Sequence, residues 1–157
     1  MKAQSGIIRG IASRPGDHEP IVEHESHRVI AGLGLEHDPR AKGKRGITLL
    51  SAERWADTLR DLGRTLPWHA RRANVLVEGV DLATTIGRRL RLGEIEVHVW
   101  GETKPCGEMD EACPGLKDAL KPDMRGGVHA EVVTGGTIRV GDPIAAIASN
   151  PPAGGNG

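Results

Sequence analysis

The sequence predicts a mainly β fold, either a barrel or a sandwich, with one clear helix and a second, short one. Short runs of alternating apolar and polar residues recur between glycine-rich turns, a pattern typical of β-strands. In the stretch 94–100, for example, Ile95, Val97 and Val99 point to one side and the intervening residues to the other. Too few helices are predicted to connect a set of parallel strands, which favours a barrel or a sandwich.

The strand pattern covers much of the chain. The predicted strands lie at 6–13, 20–30, 74–79, 94–100 and 130–148. Within the last of these, the pair Gly135-Gly136 predicts a tight hairpin and Gly141-Asp142 a second turn. The chain has no Phe or Tyr and only three Trp, so the predicted core consists of Val, Ile, Leu and Ala.

One helix is clearly indicated, over 51–63. Ser51 is a suitable N-cap, and Gly63 is a suitable left-handed C-cap. The apolar positions follow helical spacing and predict a buried face, with Trp55 as its anchor. A second, short helix is predicted over 107–112, ended by Pro114.

Length and charge limit the classes of function. The 157 residues predict a single domain over 1–149, followed by a Pro/Gly-rich tail over 150–157 that we expect to be disordered. The 21 basic and 21 acidic residues balance, which argues against a general role on nucleic acid or at a membrane surface. No run approaches the roughly 20 apolar residues of a membrane span. We therefore expect a cytoplasmic protein with no membrane partner.

The two cysteines are predicted to be neither a disulfide nor a zinc site. If the residues between Cys106 and Cys113 are helical, seven steps separate their Cα atoms by about 10 Å, whereas a disulfide requires them to lie within about 7 Å. The spacing between them also lacks the two- to four-residue gap of zinc knuckles.

Two interpretations remain open for Cys106, an inert thiol and a reactive one. Cys113, between Ala112 and Pro114, has the character of a buried inert thiol. Cys106 instead lies in the polar loop "GETKPCG", where Lys104 and the start of the predicted second helix favour a thiolate. The acidic residues that follow disfavour a thiolate: Glu108, Asp110 and Glu111.

Six motifs in a fixed order then resemble the MOSC domain, named for the C-terminal domain of molybdenum cofactor sulfurases. The similarity runs from about residue 6 to residue 145 and is to the small stand-alone bacterial type. The motifs are "AGLGLEHD" (31–38), "GKRGITLLSAE" (43–53), "RANVLVEGVDL" (72–82), "GRRLRLGEIEVHVWGETKPC" (87–106), "RGGVHAEVV" (125–133) and "GGTIRVGDPI" (135–144).

The resemblance implies a β-barrel-like MOSC fold with a few short peripheral helices, and a function with the molybdenum cofactor. It implies that Cys106 carries a persulfide in sulfur transfer or is a molybdenum ligand. It also implies two partners, a cysteine desulfurase as sulfur donor and a molybdoenzyme as acceptor. No pyridoxal phosphate site is expected in this chain, because the desulfurase chemistry of larger relatives belongs to a separate domain. The alternatives are a non-catalytic module that binds the cofactor or another anionic metabolite, and an interaction domain without activity.

By the same resemblance, a set of polar residues is expected to bind the cofactor: Arg45, Arg72, Asn74, Lys104 and Arg125. Arginine forks suit a phosphate, and amides suit the polar edges of a pterin. The alternative for each arginine is an ordinary surface ion pair. Family members commonly have Gly-Asp-x-His where this chain has Gly-Leu-Glu-His-Asp, so the resemblance assigns no role to His37.

Overall fold

A closed barrel of seven strands dominates the part of the chain described by this computed structural model, residues 5–16 and 19–147. The strands in this part are β1 (Ser5–Ser13), β2 (Val22–His24), β3 (Ser26–Val29), β4 (Ile47–Ser51), β5 (Val75–Glu78), β6 (Arg89–Leu92), β7 (Ile95–Glu102), β8 (Val128–Thr134), β9 (Gly136–Arg139) and β10 (Pro143–Ala146). Around the barrel the order is β1, β10, β6, β7, β8, β4, β5 and again β1. The predicted mainly β fold with a barrel is therefore confirmed.

β2 and β9 lie outside this ring. β2 extends the far end of β1, and β9 pairs with β3 in a separate two-stranded sheet. The hairpin predicted at Gly135-Gly136 is wrong, because β8 does not pair with β9. β9 pairs with β3 instead, and beside the end of β8 the amide of Gly32 donates a hydrogen bond to the carbonyl oxygen of Val132. The turn at Gly141 is confirmed, with φ of 98° at this residue.

Aliphatic side chains fill the interior of the barrel. On β7 the inward residues Ile95, Val97 and Val99 are all fully buried, as their alternation predicts. They belong to one cluster with the inward residues of the other barrel strands. Because this interior is packed with aliphatic groups, the clefts described below lie at the outer surface.

Three helices in the described residues cover one side of the barrel: α1 (Ala52–Leu62), α2 (Glu108–Ala112) and α3 (Leu116–Ala119). As predicted, Ser51 caps α1 by accepting a hydrogen bond from the Arg54 amide at 3.1 Å, and Gly63 ends it with φ of 69°. α1 connects β4 to β5, which are parallel neighbours. A second apolar cluster, which contains Trp55 and Cys113, lies beneath the helices.

No helix in the described ranges is long and apolar enough to cross a membrane. The predicted disordered tail, 150–157, lies outside the described residues.

Candidate functional site

A cleft of about 290 Å³ lies where the loops after β1, β3 and β7 approach the start of β5 and α2. Four arginines line it: Arg14, Arg40, Arg45 and Arg72. Asp38 and Glu108 also line it, so among the described lining residues four positive charges face two carboxylates and leave an excess of two. A second cleft, of about 330 Å³ at the start of α1, contains none of the predicted site residues. The arginine-lined cleft is therefore the candidate site.

Two glycines bring the walls of this cleft together. A Cβ atom on Gly34 would overlap the carbonyl oxygen of Gly46, and one on Gly46 would overlap the carbonyl oxygen of Leu33. The backbone of 31–38 therefore lies directly against the turn that carries Arg45. This close approach explains why the motifs at 31–38 and 43–53 contain glycine at these two positions.

The floor of the cleft contains a buried carboxylate. The side chain of Asp38 is only 1 % exposed, and it accepts a hydrogen bond from Nε of Arg14 at 3.1 Å. Asn74 Nδ2 donates a second hydrogen bond to it at 2.9 Å. A buried carboxylate requires such partners, so the charge of Arg14 is largely used inside the protein.

Asn74 lies beneath the cleft rather than in it. Its side chain is fully buried, and its Oδ1 accepts hydrogen bonds from the amide and the hydroxyl of Thr48, at 3.0 and 3.1 Å. Its Nδ2 donates to the carbonyl oxygen of Ala12 at 3.1 Å as well as to Asp38. All its hydrogen-bonding groups are used, so the structure gives Asn74 a structural role instead of the predicted contact with a cofactor.

Arg72 reaches the cleft but also holds one of its loops. It has φ of 63° and ends the 3-10 helix Trp68–Arg71. Its guanidinium donates to the carbonyl oxygens of Gly16 and Glu19, at 3.2 and 3.1 Å. Arg45, in contrast, is exposed at the wall of the cleft. The structure thus brings together two of the predicted cofactor-binding arginines.

Arg125 lies elsewhere. Its side chain is buried, and Nη1 donates to Asp61 on α1 at 2.8 Å and to the carbonyl oxygen of Ala119 at 3.0 Å. The 3-10 helix Pro122–Met124 directs it towards the helices. The prediction that Arg125 binds a cofactor is therefore not supported, because its charge is paired with Asp61 on α1.

Cys106 does not line the cleft itself, but Thr103 and Glu108, on either side of it in the chain, both do, so it lies at the edge of the cleft. It is exposed, and its Sγ lies 3.7 Å from Oε1 of Glu108, which itself lines the cleft. No atom lies within 4 Å of the position that a Cβ on Gly107 would take, so the approach to the loop is open. Lys104 is also exposed, but it does not line the cleft in the described part of the chain. Cys113 is buried, as predicted, and both cysteines are free thiols.

Arg71, which no sequence motif indicates, lies behind the cysteine loop. It is buried, and its Nη2 donates to the carbonyl oxygen of Thr103 at 2.9 Å. Burial lowers the pKa of Arg71, an effect that a negative charge on the nearby Cys106 opposes and Arg14 increases. The available signal was the Arg71-Arg72 pair, in which only Arg72 falls within a family motif.

Two unsatisfied polar atoms lie near the cleft. Thr103 Oγ1 and His129 Nδ1 are buried and have no hydrogen-bond partner among the described residues. Thr103 lines the cleft, and His129 pairs with the cleft residue Thr48 across β4 and β8. Burial and the charge of Arg45 lower the pKa of His129. The wall therefore contains hydrogen-bonding capacity that the fold does not use.

His37 belongs to a group of three histidines outside the cleft. The ring centroids of His24 and His27 are 4.1 Å apart, and those of His27 and His37 are 6.0 Å apart. His37 is exposed, whereas His24 is half-buried and bonded to Ser13 Oγ at 2.8 Å. Burial lowers the pKa of His24, and so do His27 and His37.

The fold and this site define a small barrel domain with an exposed thiol beside a cationic cleft. A family model described as the MOSC domain matches residues 36–145, more than half of the chain. The chain therefore belongs to the MOSC domain family, as its motifs predict. This family is associated with the molybdenum cofactor, so the function of the chain is related to that cofactor in general terms.

Solved structures support the same fold. The YuaD protein from Bacillus subtilis is 20 % identical with a TM-score of 0.79, and the match covers 95 % of this chain and 99 % of that one. YiiM from Escherichia coli is 16 % identical with a TM-score of 0.68, over 96 % of this chain and 71 % of that one. YiiM from Geobacillus stearothermophilus is 17 % identical with a TM-score of 0.66, over 94 % and 76 %. No match was found among curated proteins.

We expect Asn74→Ala to lower the free energy of unfolding by about 3 kcal/mol or more, because several buried partners lose their hydrogen bonds. Thr48→Val is the matched control, since it removes a single hydroxyl from the same network and should cost about 1 kcal/mol. Urea denaturation of both variants measures the difference. Equal losses in the two variants would show that Asn74 does not hold the network together.

Stability should also fall at acidic pH because of His24. Its pKa in the fold lies below the ordinary 6.5, so the unfolded chain binds the proton more readily. Its contribution is complete above 6.5 and is lost as the pH falls through the lower folded value. We expect His24→Gln to reduce the loss of stability between about pH 7.5 and about pH 5, measured by urea denaturation.

The reduction should be partial, because His129 acts in the same direction. His98→Gln, on the outer face of β7, is the control that should retain the dependence of the wild type. A His24→Gln protein with an unchanged pH dependence would contradict the expectation.

Proposed function

We propose that this protein is a sulfur-carrier or sulfur-transfer domain acting with the molybdenum cofactor, and that Cys106 carries the sulfur. The observation that carries the proposal is an exposed thiol at the edge of an arginine-lined cleft. The open space at Gly107 leaves room for a donor or an acceptor to approach the sulfur. Membership of the MOSC family supports the connection with the cofactor.

The proposed transfer needs no net oxidation or reduction. The Cys106 thiolate attacks the outer sulfur of a donor persulfide, a new S–S bond forms, and the donor leaves as a thiolate. A nucleophile of the acceptor then attacks the outer sulfur on Cys106, and the Cys106 thiolate leaves. The proposed donor is a cysteine desulfurase and the proposed acceptor is a molybdoenzyme.

The residues of the cleft fit the molybdenum cofactor. Its phosphate suits the forks of Arg45 and Arg72, since planar guanidinium groups bind phosphate oxygens in pairs. The unpartnered hydroxyl of Thr103 offers a hydrogen bond to a polar edge of the pterin. The Cys106 sulfur is a suitable ligand for the metal. When bound, the cofactor would supply the redox chemistry of molybdenum.

A second candidate is a binding module that holds the cofactor, or another anionic metabolite, without sulfur chemistry. Glu108 favours this alternative, because a carboxylate 3.7 Å from Sγ repels a negatively charged sulfur. The excess of positive charge in the cleft supports both candidates equally. The two therefore differ in what they require of Cys106.

Cys106→Ser should abolish sulfur loading. After incubation with a persulfide donor, intact mass should show additions of about 32 Da per sulfur atom on the wild type, removed by cyanide. Cys113→Ser is the matched control and should retain the adduct, because Cys113 is buried. An adduct that persists in Cys106→Ser would mean that another residue carries the sulfur.

Anion binding should depend on Arg45. With pyrophosphate as the probe in calorimetric titrations, we expect Arg45→Ala to weaken binding about tenfold through the loss of charge-assisted hydrogen bonds. Arg89→Ala is the control, because Arg89 pairs with Glu96 on the barrel surface. Equal affinities of the wild type and Arg45→Ala for pyrophosphate would show that the cleft is not the anion-binding site. If the wild type binds pyrophosphate but Cys106 does not accept sulfur, the result would favour the binding module.

A further inference from the structure

Arg71 joins three segments around the sulfur-bearing residue. Its Nη2 donates to Thr103 in the loop before Cys106, and its Nε donates to the carbonyl oxygen of Gly126 at 3.1 Å. Its Nη1 lies 3.7 Å from the sulfur of Met109, a buried residue of α2. The guanidinium thus holds the cysteine loop from both of its ends, at Thr103 and at Met109.

The packing around these contacts leaves little freedom. A Cβ on Gly126 would lie 2.5 Å from the Thr103 oxygen and 3.3 Å from both Nη2 of Arg71 and Cδ of Pro105. The cysteine loop therefore lies directly against the backbone at Gly126, with the guanidinium beside it. Because Arg71 is buried and has three directed contacts, its position is far better defined than that of the exposed Lys104.

The charge of Arg71 is also distinct from those of its neighbours. Its described partners are two carbonyl oxygens and a thioether, all neutral. Arg14, in contrast, pairs with Asp38. Of the other charges near the sulfur, Glu108 on α2 is negative and exposed, and Lys104 in the same loop is positive and exposed. Arg71 therefore provides a fixed positive charge that no carboxylate neutralises within the described residues.

We propose that Arg71 is the positioning residue of the Cys106 site, fixing the loop and keeping a positive charge beside the sulfur. A persulfide with an ionised outer sulfur, and the Cys106 thiolate that leaves during transfer, are both anions. A cation at a fixed position stabilises each of them and counteracts Glu108. This role rests on the proposed function in that Cys106 is the working residue.

The test compares two alkylating reagents on Cys106 in a Cys113→Ser background. Iodoacetate is an anion and iodoacetamide is neutral, and both react with the thiolate. The rate with iodoacetate divided by the rate with iodoacetamide therefore reports the local charge, and a nearby positive charge raises this ratio. The ionised fraction of the thiol affects both rates equally and cancels. Arg71→Gln keeps an amide donor for the carbonyl oxygens but removes the charge. We expect it to lower the ratio about two- to fivefold at low salt, and less at high salt.

Arg71→Lys should restore most of the ratio, because the charge is retained. Arg125→Met is the matched control: it removes another buried arginine, but one whose charge is paired with Asp61. Its ratio should equal that of the wild type even if its stability falls. A ratio unchanged in folded Arg71→Gln would overturn the proposal, because Arg71 would then contribute packing alone.

If Arg71→Gln does not fold, the peptide TKPCGEM, residues 103–109, provides the comparison. It contains the charges of Lys104 and Glu108 but no Arg71. The folded wild type should show a ratio about two- to fivefold above that of the peptide, and a ratio at or below it would overturn the inference. Failure of the wild type to accept sulfur would reject the proposed function, and the ratio would still decide the role of Arg71.

Discussion

The cleft depends on one buried amide, that of Asn74. Its side chain connects the end of β1, through Ala12, to the start of β4, through Thr48, and to the carboxylate of Asp38. Asp38 in turn holds Arg14 at the rim. A buried amide with every donor and acceptor used has one favourable geometry, because any displacement leaves a polar group unpaired. The barrel wall and the charged floor of the cleft are therefore fixed by the same few hydrogen bonds.

The arginines around the cleft perform different physical tasks, although their charge is the same. Arg14 neutralises a buried carboxylate, and Arg72 holds the loop after β1 through two carbonyl oxygens. Arg71 holds the cysteine loop through neutral acceptors. Arg45 is exposed at the wall and is thus the arginine best placed to meet a ligand. Residue type alone predicts a cationic cleft, and the hydrogen-bond partners determine which charges face it.

The sequence predicts those parts of the molecule in which one residue carries a local signal. The alternation of residues 95–99 predicts β7, and the cap at Ser51 predicts the start of α1. β4 is not predicted, because all five of its residues are buried and no exposed face marks the strand. Its apolar residues divide between the barrel interior and the cluster beneath the helices, and Thr48 is hydrogen-bonded to Asn74. The motif that ends at Cys106 predicts the cysteine loop as part of the site. The role of Arg71 is not predicted by any sequence pattern. The positive φ of Arg72 turns the chain, so the side chains of these two adjacent arginines separate.

Two opposite charges act on the Cys106 sulfur, and they differ in how firmly they are held. Glu108 is exposed, so water screens its charge and its side chain can turn away from an incoming anion. Arg71 is buried and held by backbone carbonyl oxygens, so its charge stays in place. When a ligand or partner covers the cleft and displaces water, every remaining charge acts more strongly. On the proposed function, a partner that covers the cleft would therefore strengthen the effect of the fixed Arg71 charge on the Cys106 sulfur more than that of the exposed Glu108 carboxylate.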